Sequence, residues 1–263
     1  MMASDAELLA DTLREAGEIA MQFWRNDAQV WDKDDGAGPV TEADLAVDAH
    51  LKTRIQAARP DYGWLSEETE DTTDRLRHST VAIVDPIDGT RAFVAGEKNW
   101  AVSMAIVKDG KPVTAGVFMP AKDQLFTAQA GRGAFLDGHP IGATAAQELA
   151  GSTVLSARPN LEPRNWTGGT PPLERHFRSS LAYRLALVGK GAFDAMLTLR
   201  ATWEWDVAAG HLIATEAGAL VTDQRGGDAR FNNPKPQIDG MVAAPAPLHA
   251  RIIERLAHNA RGA

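Results

Sequence analysis

The stretch at positions 81–90, VAIVDPIDGT, joins four apolar residues to two carboxylates that stand three positions apart. A short apolar run rich in valine and isoleucine predicts a buried strand over residues 81–84. Pro86 fixes its own backbone angle and favours extended geometry at Asp85, while Gly89 permits a tight turn. The pattern therefore predicts a core strand followed by a stiff, sharply turning loop that carries both acids.

Two interpretations of this loop stay open from the local pattern alone. Asp-Pro and Asp-Gly are common turn formers, so the segment is typical of an ordinary loop. Alternatively, Asp85 and Asp88, with the carbonyl of Ile87 between them, offer the oxygen ligands that Mg²⁺ requires in near-octahedral geometry. Thr90 then stands where a helix is predicted to begin, a position that favours phosphate.

Composition limits the classes of function. The 263 residues carry a formal net charge of −8, which argues against binding to nucleic acid polymers or anionic membranes. Zero cysteines exclude disulfides and thiolate metal sites and fit a reducing compartment. The N-terminus lacks the basic and apolar regions of a signal peptide, and no stretch approaches the roughly 18 apolar residues of a membrane span. We therefore expect a cytoplasmic protein without a membrane partner.

The first half of the chain predicts two helices packed on an antiparallel meander. Ser4 and Glu7 form a capping-box pattern before apolar residues at helical spacing, and a second helix is predicted between Thr41 and Pro60. Strand signals follow at 100–107, 113–119 and 125–128, with Asp-Gly turns at 109–110 and 137–138.

The second half alternates helix and strand signals. Helical patterns are expected at 181–187, 193–197 and 207–217, short strands at 219–222 and 241–244, a long surface loop at 162–172, and a last helix from Pro247. We therefore predict an α/β protein of two domains, an α+β N-terminal domain over residues 1–142 and an α/β C-terminal domain over residues 143–263.

Two further acids accompany the pair at the strand end. Glu67 follows an apolar segment that suggests another strand end, and Asp206 stands at the head of a predicted helix. An acid at a helix N-terminus is ordinarily a cap. The small residues at 208–210 nevertheless allow close packing, which would let Asp206 approach a site shared between the two halves.

Four motifs in this order resemble the inositol monophosphatase family. They are VTEAD at 40–44, SEE at 66–68, DPIDGT at 85–90 and WDVAAG at 205–210. The resemblance extends over nearly the whole chain and implies a layered αβαβα sandwich with magnesium-dependent, lithium-sensitive phosphomonoesterase activity. Ser66 departs from the family pattern, which usually has glycine before the two glutamates.

The resemblance also implies roles for individual residues. The metal ligands, expected to hold two or three Mg²⁺ ions, are Glu67, Asp85, the carbonyl of Ile87, Asp88 and Asp206. Asp44 and Thr90 match the pair that orients and activates the attacking water, with Glu67 as a further catalytic residue. The backbone of Gly89 and Thr90 matches the phosphate-binding segment, and Lys33 falls in the mobile loop over the site.

The predicted reaction is hydrolysis of a small phosphorylated metabolite by a metal-activated water that attacks the phosphate in line. A phosphate monoester is a dianion, so this acidic chain needs divalent cations to hold it. The predicted substrate contacts are Asp88, Gly89, Thr90, Arg184 and Glu204. Arg184 would either contact a second phosphate or extend from its helix to solvent. Because family members are frequently dimers, the resemblance also implies a homodimer.

The identity of the substrate stays open. The position at which inositol-phosphate members carry a sugar-recognising glutamate falls at Thr198 or Leu199, and neither is a carboxylate. The alternatives are inositol phosphates or related polyols, 3'-phosphoadenosine 5'-phosphate (the substrate of a 3'(2'),5'-bisphosphate nucleotidase), and histidinol phosphate. A non-catalytic phosphatase-like ligand sensor is a further hypothesis, against which the complete set of acids argues.

Overall fold

The structure is a computed structural model that describes residues 3–26, 29–32 and 39–257. Its helices are α1 (Asp5–Phe23), α2 (Glu42–Ala58), α3 (Thr90–Val94), α4 (Leu181–Gly189), α5 (Glu204–Glu216) and α6 (Ala246–Arg255). Lys33 lies outside the described residues. Within these ranges, no helix is both long and apolar enough to cross a membrane.

The strands form a two-stranded ribbon and two larger sheets. The ribbon pairs β1 (Val30–Asp32) with β2 (Pro39–Thr41). The seven-stranded sheet contains, in spatial order, β3 (Gly63–Ser66), β4 (Thr80–Asp88), β5 (Ala101–Lys108), β6 (Lys111–Met119), β7 (Gln124–Gln129), β8 (Gly133–Leu136) and β9 (His139–Pro140). The five-stranded sheet comprises β10 (Thr153–Ser156), β11 (Glu174–His176), β12 (Ala195–Trp203), β13 (Leu220–Thr222) and β14 (Gln237–Ala244), in the order β11-β10-β12-β14-β13.

Five layers result from how these elements bury their apolar faces. Helices α1 and α2 cover one face of the seven-stranded sheet, around Leu13 and Leu51. Helices α4 and α5 lie between the two sheets, where they share one core with residues of both. Helix α6 covers the outer face of the five-stranded sheet through Leu248 and Ile252. The predicted αβαβα sandwich is confirmed, and so is the antiparallel meander from β4 to β9.

The predicted caps of the first two helices are confirmed. Ser4 and Glu7 form a complete capping box at α1. Thr41 caps α2 in the same way, with Asp44 as its acidic partner. The oxygen Oδ2 of Asp44 accepts hydrogen bonds from the backbone N–H and the hydroxyl of Thr41, at 2.8 and 2.6 Å. The capping box thereby fixes the carboxylate of Asp44 against the helix end.

The strand that carries the two acids is longer than predicted. Residues 85–88 were expected in a loop, but β4 continues through Asp88. The strand pairing skips positions, since Asp85 pairs with Ser103 and Asp88 with Ala101, which leaves one extra residue in β4. Proline has no N–H for a ladder, so such a bulge accommodates Pro86 inside the strand. Both acids are therefore held by the sheet itself.

One expectation for the second half is wrong, and a second holds only in part. Residues 193–197 were expected to be helical, but β12 begins at Ala195. This strand is buried on both faces, with Met196 in one core and Leu197 in another, so its apolar run lacks the alternation of a half-exposed strand. The expected surface loop at 162–172 contains Trp166, which is buried and packs in the core beneath α6.

Candidate active site

Three carboxylates from separate elements converge at one edge of the seven-stranded sheet. Glu67 directly follows β3, Asp85 lies in β4, and Asp206 stands in the first turn of α5. One oxygen from each of these carboxylates lies within 4.8 Å of the other two. The parallel pairing of β3 with β4 places the first two acids side by side. Packing of α5 onto the same sheet brings in the third from the other half of the chain.

The protein environment disfavours ionisation of Asp85 and Asp206 in the absence of a cation. Burial raises the pKa of Asp85 well above its ordinary value, and the neighbouring Glu67, Asp88, Asp206 and Asp44 raise it further. Burial likewise raises the pKa of Asp206, with Asp88 and Glu67 adding to the effect. Like charges in a low dielectric repel strongly, so three ionised carboxylates at this spacing require an opposite charge between them.

The donor set fits a divalent cation such as Mg²⁺. Asp85 is 1% exposed, and its oxygen Oδ1 is buried without a hydrogen-bond partner among the described residues. A buried carboxylate oxygen with no donor is costly, and coordination of a metal ion would satisfy it. Hard carboxylate oxygens are the ligands that Mg²⁺ prefers.

Asp88 differs from the other three acids because hydrogen bonds tie it to α4. Its carboxylate accepts hydrogen bonds from the Ser180 hydroxyl at 2.5 Å, from the N–H of Leu181 at 3.2 Å and from the N–H of Ala182 at 2.7 Å. Burial raises the pKa of Asp88 to about 6, and these hydrogen bonds oppose that rise. Asp88 thus joins the two halves of the chain beside the cluster, and its role as a metal ligand stays a prediction.

The turn after β4 has the backbone shape that the sequence predicts. Gly89 adopts a left-handed conformation with φ of 98°, which only glycine adopts without strain, and α3 begins at Thr90 as expected. The hydroxyl of Thr90 donates to the carbonyl of Ile87 at 3.1 Å. The first N–H groups of a helix have no acceptor within that helix, which leaves those at the start of α3 able to donate to an anion.

The serine that departs from the family pattern has a structural role. The hydroxyl of Ser66 donates to Asp48 Oδ1 at 2.5 Å, and that of Thr69 donates to Asp48 Oδ2 at 2.7 Å. Asp48 lies in α2 and is buried. These hydrogen bonds fix the chain on both sides of Glu67, which a glycine at position 66 would not do.

Arg184 brings a positive charge to the cluster. It is only 5% exposed, so the alternative in which it extends to solvent is wrong. Its Nε donates to the carbonyl of Arg178 at 2.6 Å, and its guanidinium lies 4.5 Å from the centre of the Phe177 ring. Burial lowers the pKa of Arg184 to about 10, while the charges of Asp88 and Asp206 raise it. The guanidinium therefore lies at the same end of α4 as Asp88.

Glu204 has contacts that do not support the predicted substrate contact. Its side chain is completely buried, and its carboxylate accepts hydrogen bonds from the N–H groups of Asn232 and Asn233 at 2.6 and 2.9 Å. The side-chain amide of Asn233 donates a further hydrogen bond at 2.7 Å. Burial raises the pKa of Glu204, and these donors oppose the rise.

Two residues of the site were missed from the sequence. Ser180 precedes an apolar helical run, which is an N-cap signal, but nothing in that signal indicates that its hydroxyl faces Asp88. Asp48 lies within a helix whose sequence pattern gives no reason to expect a bond to Ser66. Both contacts join segments that are distant along the chain, so only the packed structure reveals them.

The five layers and the carboxylate cluster define a class of protein. It is a layered α/β sandwich in which both halves of the chain contribute carboxylates to a candidate metal site. The model of the inositol monophosphatase family matches residues 2–261. An inositol-1-monophosphatase from Rhizobium meliloti is 36% identical over 205 residues, covering 72% of this chain and 73% of that protein.

Two further comparisons cover nearly the whole chain. A histidinol-phosphatase from Chlorobaculum parvum is 28% identical over 270 residues, 99% of each chain. The solved structure of the extragenic suppressor protein suhB from Bartonella henselae has a TM-score of 0.80 at 28% identity, covering 94% of this chain and 96% of that one. This protein belongs to the inositol monophosphatase family, a family of metal-dependent phosphatases that act on small phosphorylated substrates. The resemblance drawn from the four motifs, and the phosphatase class it implies, are confirmed.

Proposed function

We propose that this protein is a magnesium-dependent phosphomonoesterase whose substrate is a small phosphorylated polyol or a related metabolite. One observation carries the proposal. The carboxylates of the buried Asp85 and of the half-buried Glu67 and Asp206 converge within 4.8 Å, and one oxygen of Asp85 accepts no hydrogen bond from the described residues. Such a cluster is costly for the fold unless a cation binds to it, and a dianionic phosphate would bind to that cation.

Each proposed residue has a defined task. Glu67, Asp85, the Ile87 carbonyl, Asp88 and Asp206 would hold the metal. Bound Mg²⁺, two or three ions by the family resemblance, would supply positive charge to the phosphate and the leaving alkoxide and acidify a water molecule.

The remaining tasks fall to the chain itself. Asp44, fixed by its capping box, would accept a proton from the attacking water, and the Thr90 hydroxyl would orient that water for in-line attack. The N–H groups of Gly89 and Thr90 would donate to phosphate oxygens.

A substrate with a second anionic group is the alternative that the arginines favour. Arg184 is buried beside Asp88, and Arg200, which is exposed, lies close enough for its charge to lower the pKa of Asp206. Two guanidinium groups whose charges act on the acids of the site suit a bisphosphate such as 3'-phosphoadenosine 5'-phosphate or fructose 1,6-bisphosphate. Arg184 would then contact the second phosphate.

A substrate panel tests both proposals. Phosphate release would be measured with inositol 1-phosphate, histidinol phosphate, 3'-phosphoadenosine 5'-phosphate and fructose 1,6-bisphosphate, each with Mg²⁺. We expect turnover of at least one monophosphate. If bisphosphates are preferred, Arg184→Met should raise their KM about tenfold or more while changing that of monophosphates little. No release from any of the four substrates would favour the non-catalytic sensor.

We also infer the organisation of the chain at larger scale. The division into residues 1–142 and 143–263 is supported by the two sheets, since the strands of the larger sheet all precede Ile141 and those of the smaller one all follow Gly151. A homodimer and a cytoplasmic location remain predictions from the family resemblance and the composition. Sedimentation equilibrium would test the first, and a monomeric mass would contradict it.

A further inference from the structure

A polar network built around two buried charged residues connects the segment that follows Glu67 with the first turn of α5. Its members are Asp71, Arg75, Asn232, Asn233 and Glu204, and we call it the clamp. We propose that the clamp is a positioning device that sets the place of Asp206 relative to Glu67, and that it thereby tunes the affinity of the carboxylate cluster for metal. This inference rests on the proposed function.

Arg75 forms the first end of the clamp. Its side chain is 1% exposed and binds Asp71 in a bidentate manner, with Nε to Oδ1 at 3.0 Å and Nη2 to Oδ2 at 2.7 Å. It also donates to the side-chain oxygen of Asn232 at 2.6 Å and to the backbone carbonyl of Asn233 at 2.9 Å. Such a planar, multiply bonded guanidinium fixes both position and orientation. Arg75 therefore ties the first half of the chain to the 232–233 loop.

Glu204 forms the second end of the clamp. Its carboxylate accepts three hydrogen bonds from Asn232 and Asn233, and its own N–H donates to the carbonyl of Pro236 at 3.0 Å. Asn232 has φ of 62°, a left-handed conformation that asparagine tolerates better than most residues. The two asparagines thus stand between Arg75 and Glu204 and bond to both.

Each end of the clamp lies next to an element that carries a proposed metal ligand. On one side, Gly63 at the start of β3 lies against Arg75, since a Cβ at Gly63 would be 3.2 Å from the Arg75 Cα, and β3 leads directly to Glu67. On the other side, Glu204 is two residues before Asp206 in α5. Residues at i and i+2 of a helix do not face each other. Glu204 can therefore anchor the helix from the side while Asp206 is directed at the cluster.

The chemistry of the clamp favours a positioning role over simple stabilisation. Burying charged groups is costly, and apolar residues of similar volume often stabilise a fold as well or better. A network of directional hydrogen bonds instead restricts the relative position of the segments it joins. The position of the ligands is important at a metal site, because substituting the residues that orient them typically weakens metal affinity by about 10–100-fold.

The test is the affinity of the full-length protein for Mn²⁺, measured by electron paramagnetic resonance, with Mn²⁺ alone as the probe. Glu204→Gln places an amide against the N–H donors of Asn232 and Asn233. Asn232→Gly keeps the left-handed backbone but removes the acceptor of Arg75 Nη1, so it is the milder variant and the safer one for folding. Arg75→Lys keeps the charge and loses the bidentate geometry.

Glu216→Gln is the matched control. Glu216 is at the opposite end of the same helix, and its carboxylate accepts from the N–H groups of Gly131 and Gly133, both at 2.9 Å, on the seven-stranded sheet. It therefore ties α5 to the first half of the chain in a similar way but far from Asp206. We expect this substitution to lower the Tm without changing Mn²⁺ affinity.

The expected results separate the clamp from the proposed function. Glu204→Gln should raise the Kd for Mn²⁺ about tenfold or more, Asn232→Gly should raise it by a smaller factor, and Arg75→Lys should fall between wild type and Glu204→Gln. A Kd within twofold of wild type in a folded Glu204→Gln or Asn232→Gly protein would overturn the clamp alone. Failure of the wild-type protein to bind Mn²⁺ would overturn the proposed metal site and the clamp with it.

Discussion

Asp88 in the seven-stranded sheet accepts a 2.5 Å hydrogen bond from the hydroxyl of Ser180, although 92 positions separate them in the chain. The same hydroxyl caps α4 by accepting from the N–H of Tyr183 at 2.9 Å. Ser180 therefore serves the helix and the buried acid at once. Replacing Ser180 should therefore destabilise the protein more than replacing a serine that only caps a helix.

Ser180→Ala is predicted to cost about 2–4 kcal/mol in the free energy of unfolding, because it removes a cap and a donor to a buried carboxylate. Urea denaturation measures this cost. Ser4→Ala removes the exposed cap of α1 and is the matched control, with an expected cost of about 1 kcal/mol. Equal losses of unfolding free energy in the two variants would show that the hydrogen bond from Ser180 to Asp88 adds no stability. Phosphatase activity should fall in Ser180→Ala and be retained in Ser4→Ala.

Asp206→Asn should change activity and metal-free stability in opposite directions. The raised pKa of Asp206 means that its ionised form is unfavourable in the folded protein at pH 7, so an uncharged amide should raise the Tm measured in a chelator. The same change removes a proposed metal ligand, so turnover with Mg²⁺ should fall about 100-fold or more. Full magnesium-dependent activity in this variant would refute the site assignment, as it would for Asp88→Asn.

Gly210→Ala is predicted to destabilise the protein although alanine is the better helix former. In an open helix the substitution would stabilise by about 1 kcal/mol. Here the new Cβ would lie 2.6 Å from the Cβ of Leu185 and 3.0 Å from the carbonyl of Ala182, so α4 and α5 must separate. We expect a net cost of about 1–3 kcal/mol from overpacking, measured by urea denaturation. An increase in stability would show that the two helices tolerate a wider spacing.

His211 is predicted to make the fold sensitive to acid. Its Nδ1 is buried and has no hydrogen-bond partner in the part of the chain that the structure describes, and burial lowers its pKa to about 4, with Asp228 opposing that shift. A histidine with a depressed folded pKa stabilises the fold above its unfolded pKa near 6.5, and this contribution is lost as the pH falls toward 4. The loss between pH 7 and pH 5 is about 2 kcal/mol.

His211→Leu removes the titrating group while it keeps an apolar contact beside Phe231. The free energy of unfolding of this variant should therefore fall less between pH 7 and pH 5 than that of the wild type. Urea denaturation at the two pH values gives the comparison. The same pH dependence in both proteins would show that His211 is already protonated, or exposed, in the folded state.

The local sequence predicted most elements and most acids of the site because both follow from short-range chemistry. The caps at Ser4 and Thr41, the glycine turn at Gly89 and the strand before Asp85 all depend on residues within a few positions. Errors arose where tertiary burial overrode the local pattern. The run at 195–197 is buried on both faces and therefore lacks the alternation that distinguishes a strand, and Trp166 is buried by a helix that lies far along the chain.

The sequence by itself determined that acids end a core strand and that more acids of the same kind follow, since residue type and spacing are local properties. Only the tertiary structure decided that Glu67, Asp85 and Asp206 converge within 4.8 Å, because their approach depends on α5 packing between two sheets. The same packing places the carboxylate of Glu204 against the N–H groups of Asn232 and Asn233, contacts that its predicted role as a substrate contact does not explain. Hydrogen bonds between distant segments, such as those of Asp88 with Ser180 and of Arg75 with Asn232, arise from packing and leave no local signal.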